Sequence, residues 1–184
     1  MKKFLLPLIA IALFVMQGYS QDVFVKGDKV LNLSVGLGSG LYKGSGYGSK
    51  IPAIAASYEA CVKDELFDAN SALGIGGYVG YTGAKYNFGS GYGWKYSDII
   101  IGARGAVHYQ FIDKLDTYGG LMLGYDIVSS KSYGTGVFSG SATGSGFLLD
   151  IFVGGRYYFS DQFAGLVEIG SGISYLNIGV AIKL

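Results

Sequence analysis

Nucleophilic catalysis needs a nucleophile, a base and an orienting acid within hydrogen-bond reach. The 184-residue chain holds one histidine, His108, and one cysteine, Cys61. His108 sits in an alternating segment with no serine and acid at a recognisable catalytic spacing, so no catalytic residue is assigned and the chain is not read as an enzyme. One His and one Cys without paired spacing give no metal site. Gly44-Ser45-Gly46-Tyr47-Gly48 and Gly89-Ser90-Gly91-Tyr92-Gly93 superficially resemble phosphate-loop glycines. They lack the following Lys-Ser/Thr and a helix, and no cofactor is expected.

More chemistry lies in charges scattered singly through apolar or Gly/Ser stretches: Glu59, Arg104, Asp126, Asp150, Arg156 and Glu168. Such charges tolerate burial only when paired, because an unpaired buried charge costs several kcal/mol. The planar fork of Arg suits pairing with carboxylates. Arg104 and Arg156 are therefore expected to bridge Glu59, Asp126, Asp150 and Glu168, with His108 and Lys183 on the same side of the sheet.

The elements that would position these residues are strands. The chain carries 32 Gly, 16 Tyr and 11 Phe, and charged residues make up 15%, against about 25% in average domains. Mean hydropathy is +0.37. This composition excludes disorder, and the glycines argue against long helices. Apolar residues recur with period two, as in Ile101, Ala103, Gly105, Val107, Tyr109 and Phe111, or Phe147, Leu149, Ile151, Val153, Gly155, Tyr157 and Phe159. Eight strands are predicted, near 29–38, 51–62, 71–83, 96–111, 116–128, 146–159, 163–173 and 175–184.

Alternation does not say which face is wet. A soluble barrel buries the apolar face; a membrane barrel reverses this. The second face here is mostly Gly, Ser and Ala with few charges, which suits a narrow lumen rather than a water-facing sheet. Aromatic residues at strand ends match interfacial girdles. Connections alternate short and long, as in barrels with short periplasmic turns and longer outside loops. The expected fold is an all-β, eight-stranded, antiparallel, up-and-down transmembrane β-barrel over residues 29–184.

Residues 1–20 read as a cleaved signal peptide: Met1-Lys2-Lys3 is basic, Phe4–Met16 is apolar, and Gly18-Tyr19-Ser20 supplies small residues at the cleavage site. Residues 21–28 form a short N-terminal periplasmic segment. Without Lys2 and Lys3 the net charge passes from +1 to −1, which gives no pull toward nucleic acid.

The alternating segments and the closing run Gly172-Ile173-Ser174-Tyr175-Leu176-Asn177-Ile178-Gly179-Val180-Ala181-Ile182-Lys183-Leu184 resemble the small eight-stranded outer-membrane barrels of the OmpA/OmpX kind, in the porin-like outer membrane protein β-barrel families. Leu184 departs from the terminal aromatic residue usual there. The resemblance implies a non-enzymatic protein of the bacterial outer membrane. Its role would be structural or in surface interaction, with a lumen plugged by the charge network; the alternative is a narrow channel for small solutes.

The outside loops mix Gly and Ser with Tyr47, Tyr92, Trp94 and Tyr133, residue types that recur in adaptable recognition surfaces. A surface glycan, a protein or another outer-membrane protein would be the partner. Lys43, Lys50, Lys85, Lys95 and Lys131 lie in the same segments against Asp98, whereas the short turns are acidic through Asp64, Glu65, Asp68, Asp113, Asp116 and Asp161. The lysines are expected to contact outer-membrane lipid and lipopolysaccharide phosphates.

Overall fold

A computed structural model describes residues 23–39, 41–42, 46–88, 91–134 and 144–184. The segment expected to be a signal peptide lies outside the described residues. The strands are β1 (Lys29–Ser39), β2 (Tyr47–Asp64), β3 (Ser71–Asn87), β4 (Gly93–Ile112), β5 (Leu115–Tyr133), β6 (Gly146–Tyr158), β7 (Phe163–Gly170) and β8 (Ser174–Lys183). Each pairs antiparallel with the next, and β8 pairs back to β1 from Val30↔Lys183 to Ser39↔Ser174. The result is a closed eight-stranded barrel, as the alternation predicts.

The two faces have inverted polarity. Leu123 and Ile151 are each 62% exposed on the outside, while Glu59 and Arg156 are 0% exposed inside. Parity explains this directly, because successive side chains of a strand point to opposite faces.

All eight expected strands are present, but β2 to β5 run further than predicted. β3 and β4 remain paired through Lys85↔Lys95, Tyr86↔Trp94 and Asn87↔Gly93, and β4 and β5 through Lys95↔Lys131 to Gly93↔Tyr133. Backbone pairing needs no apolar side chain, so the ladder continues where the hydrophobic alternation that marked the strand has ended. These four strands form a wall that outreaches β6, whose pairing with β5 stops at Asp126↔Gly146. β7 is shorter than predicted. Ser171 leaves the sheet, its N–H bound to Ile151 O at 3.1 Å and to Asp150 Oδ1 at 2.7 Å. In β2 the register shifts between Ile51 and Ile54, around Pro52. Proline has no N–H for the ladder, and the Thr82 hydroxyl instead donates to Ile51 O at 2.9 Å.

The segment before β1 folds under the barrel at the short-turn end. Gly27 N–H donates to Cys61 O (3.2 Å) and Cys61 N–H to Asp28 O (2.9 Å). Val23 N–H donates to Gln110 Oε1 at 3.1 Å, and Lys183 pairs with Asp28 at 2.6 Å. These bonds carry Val23 and Phe24 into the mouth of the barrel, where they pack with Val30, Cys61, Ala72, Tyr158, Ala164 and Ala181. Phe24 lies 4.2 Å from the His108 ring, centroid to centroid. Phe24→Ala is expected to cost about 3–5 kcal/mol, read from urea unfolding followed by the fluorescence of Trp94. A loss below about 1 kcal/mol would show that the segment merely rests against the mouth.

Candidate functional site

Inward positions on five strands bring a charged cluster into the lumen: Glu59 (β2), Arg104 and His108 (β4), Asp116 and Tyr118 (β5), Arg156 (β6) and Glu168 (β7). Arg156 reaches two carboxylates, Asp116 through Nη1 at 3.1 Å and Glu59 through Nη2. His108 spans the same two, with Nδ1 2.8 Å from Asp116 Oδ1 and Nε2 3.0 Å from Glu59 Oε1. Ionised carboxylates only accept, so a ring bound at both nitrogens must donate from both, as an imidazolium does. Arg104 Nη2 pairs with Glu168 Oε2 at 2.6 Å, and the Tyr118 hydroxyl donates to the same oxygen at 3.0 Å. With His108 charged, three cations meet three carboxylates and the cluster is neutral.

Rings complete the packing. The Arg104 guanidinium lies 3.9 Å above the Phe152 ring and that of Arg156 4.7 Å above Tyr118. Gly74 supplies the remaining space: a Cβ there would stand 2.5 Å from Glu59 Oε1 and 2.9 Å from His108 Nε2.

The cluster differs from expectation at three carboxylates. Asp126 and Asp150 are not bridged by either arginine. Asp150 accepts from Ser171, from N–H at 2.7 Å and from the hydroxyl at 3.0 Å. Asp126 lies four residues along β5 from Met122, the residue opposite Arg104, and its Oδ1 has no hydrogen-bond partner among the described residues. Arg104 instead reaches across the lumen to β7. Asp116, counted from the sequence as an acidic turn residue, is a hub of the cluster and 1% exposed. Its parity with Tyr118 and Met122 was the available signal. Asp98, assigned to the outside, is buried and accepts from the Tyr42 hydroxyl. Burial first, and then this carboxylate, hold the Tyr42 phenol above its ordinary pKa. Among the described residues no group of His, Cys, Asp or Glu is placed to hold a metal ion.

The second candidate surface is the projecting wall. Tyr47, Trp94 and Tyr133 stand on strands rather than in loops. Tyr47 packs against Tyr42, Tyr86 and Tyr96 at centroid distances of 5.2, 5.1 and 6.2 Å. Trp94 is paired with Tyr86 on the same inner face. Tyr92 occupies the β3–β4 turn and stacks on Phe88 at 5.6 Å. Tyr133 bonds to the Asn87 side chain. Lys50 donates to Tyr42 O at 2.8 Å. Lys85, Lys95 and Lys131 are exposed on β3, β4 and β5. Lys43 lies outside the described residues.

Breaking the buried cluster while leaving its carboxylates should be costly, whereas the two unbridged carboxylates should matter less. Arg156→Met leaves two buried carboxylates, Glu59 and Asp116, to the single ring of His108 and is expected to lose about 3–5 kcal/mol of folding free energy. Asp126→Asn is expected to stay within about 0.5 kcal/mol. Urea titration of the two variants side by side checks this ordering.

No family model and no curated protein matches the chain. Solved structures do. The attachment invasion locus protein Ail of Yersinia pestis, in complex with the heparin analogue sucrose octasulfate, aligns with a TM-score of 0.51 at 12% identity, covering 86% of this chain and 96% of that one. The N-terminal β-barrel domain of Pseudomonas aeruginosa OprF aligns with a TM-score of 0.51 at 11% identity, covering 86% and 98%. The chain has the fold of the small eight-stranded outer-membrane barrels, the OmpA/OmpX-like architecture.

Proposed function

We propose that the chain is a non-enzymatic barrel of the bacterial outer membrane, with a structural or surface-interaction role and a lumen sealed by its internal charge network. The observation that carries this is the inverted polarity. Large apolar side chains cover the outside of every strand along the belt, and the buried charges Glu59, Arg104, His108, Asp116, Arg156 and Glu168 are inside.

The height of the apolar belt fits a membrane. On β4 the belt runs from Ile99, paired with Tyr81, down to Tyr109, which packs on Phe111 at 4.6 Å. Ten residues at about 3.4 Å each, tilted by about 40°, rise about 26 Å. Outer-membrane barrels carry a band about 25 Å tall between aromatic girdles. On this reading residues 1–20 are the export signal, the short turns face the periplasm, and the wall projects outside.

The paired charges in the lumen support a plug over a solute channel, because an eight-stranded barrel is only wide enough to be filled by its own side chains. Occupation of both His108 nitrogens by carboxylates supports a non-enzymatic role, since neither is free to accept a proton from a nucleophile. Tyr47, Tyr92, Trp94 and Tyr133 are the proposed recognition residues. The sulfated-sugar complex of the Ail neighbour favours a glycan partner by analogy of fold. Lys43, Lys50, Lys85, Lys95 and Lys131 give the same end a positive charge toward lipid and lipopolysaccharide.

Leu123 pairs with Ala103 near mid-belt. Leu123→Arg is expected to cost about 2–4 kcal/mol when the protein is unfolded by urea from phosphatidylcholine vesicles. A water-facing Leu123 would tolerate the arginine at little cost, and an unchanged free energy would contradict the membrane reading.

A further inference from the structure

Three of the exposed lysines form a single row. Lys85 on β3 pairs with Lys95 on β4, and Lys95 pairs with Lys131 on β5. Directly opposed side chains have Cβ atoms about 5 Å apart, and like charges there are destabilising. Among the described residues none of the three ammonium groups has a carboxylate within ion-pair distance. By strand parity all three share the outer face with Ile99 and Ile127, so the row stands on the wall directly above the apolar belt.

The rows on either side shape the place. Below the lysines lies Gly83, Ser97 and Ser129, opposed in register and small. Below that lies Tyr81, whose hydroxyl points up to Ser97 Oγ at 3.5 Å. Above the lysines, Tyr133 crosses Gly93 to bond the Asn87 side chain. The result is a shallow cationic shelf with hydroxyl donors along its floor and a tyrosine along each rim.

We propose that Lys85, Lys95 and Lys131, with the Ser97 and Ser129 hydroxyls, bind phosphate groups of lipid headgroups in the surrounding leaflet. The proposal rests on the membrane reading above. Height selects this ligand over a free polyanion. Lys95 lies four residues beyond Ile99, about 10 Å higher at the same rise and tilt. A headgroup layer is about 5–7 Å deep. Lysines that lie down over the Gly/Ser row bring their ammonium groups into that layer while the stems cover apolar surface. A shared phosphate would also relieve the repulsion within the row.

The test uses the full mature chain refolded in phosphatidylcholine nanodiscs, with or without a minor fraction of bis-phosphorylated lipid A. Lipid A retained on extraction is counted by native mass spectrometry. Each lysine near an anionic surface contributes about fivefold in affinity, so the K85S/K95S/K131S variant should retain lipid A on the order of a hundredfold more weakly. The K29S/K63S control, altered at the opposite end, should bind like the parent. In pure phosphatidylcholine the triple variant should unfold at urea concentrations equal to or above the parent's, because a repulsive row has been removed. Equal lipid A retention by parent and triple variant would overturn the proposal. So would a loss confined to soluble sucrose octasulfate or inorganic phosphate, which would reassign the shelf to free anions. Failure of the parent to insert into phosphatidylcholine at all would overturn the membrane reading itself, a different result from insertion without lipid A retention.

Discussion

An eight-stranded barrel encloses a lumen no wider than the side chains that line it, and the rest of this structure follows from that limit. With the outside given to apolar residues, the polar residues left on the inner face meet one another and little water. They must neutralise and hydrogen-bond one another in place. Arg156 and His108 each span Glu59 and Asp116, and Arg104 with Tyr118 closes on Glu168. Gly74 is tolerated within a strand, despite its cost there, because a side chain would collide with this cluster. Phe24, brought back under the barrel, covers the cluster from the short-turn end.

Much of this was legible from the alternation. Period two places Glu59, Arg104, His108, Arg156 and Glu168 on the inner face without any knowledge of partners. The choice of partners was not legible, because it depends on reach across the lumen, and sequence order does not report that distance. Arg104 finds Glu168 on β7 and leaves Asp126 and Asp150 to other surroundings. Asp116 was misread because it follows a turn, and acidic turn residues are ordinarily wet. Its parity with Tyr118 carried the correct answer. The strand ends were overrun for a related reason. Beyond the belt the outer face turns polar, the apolar alternation stops, and the backbone pairing continues through Lys85, Lys95 and Lys131.

The barrel thus divides into a part girdled by the apolar belt and a part that projects above it. Within the belt the outside is mainly aliphatic and aromatic, and the inside combines small residues and paired charges with an apolar cluster of Ile100, Met122, Tyr118, Phe152 and Leu166. Above it, the wall carries Lys85, Lys95, Lys131 and Tyr133 on its outer face and Tyr47, Tyr86, Tyr96 and Trp94 on its inner face. The same ladder of backbone hydrogen bonds supports both parts, so the chemistry of the wall can vary without disturbing the closure of the sheet.

The central claim is that the lumen is closed by its own ion pairs. Planar-bilayer recording on the purified, refolded chain tests it most directly. A sealed lumen predicts baseline current with no steady unitary openings at any applied potential the bilayer withstands. Steady, well-resolved openings whose conductance rises with salt concentration would contradict it, and would mean that the cluster lines a path instead of closing one.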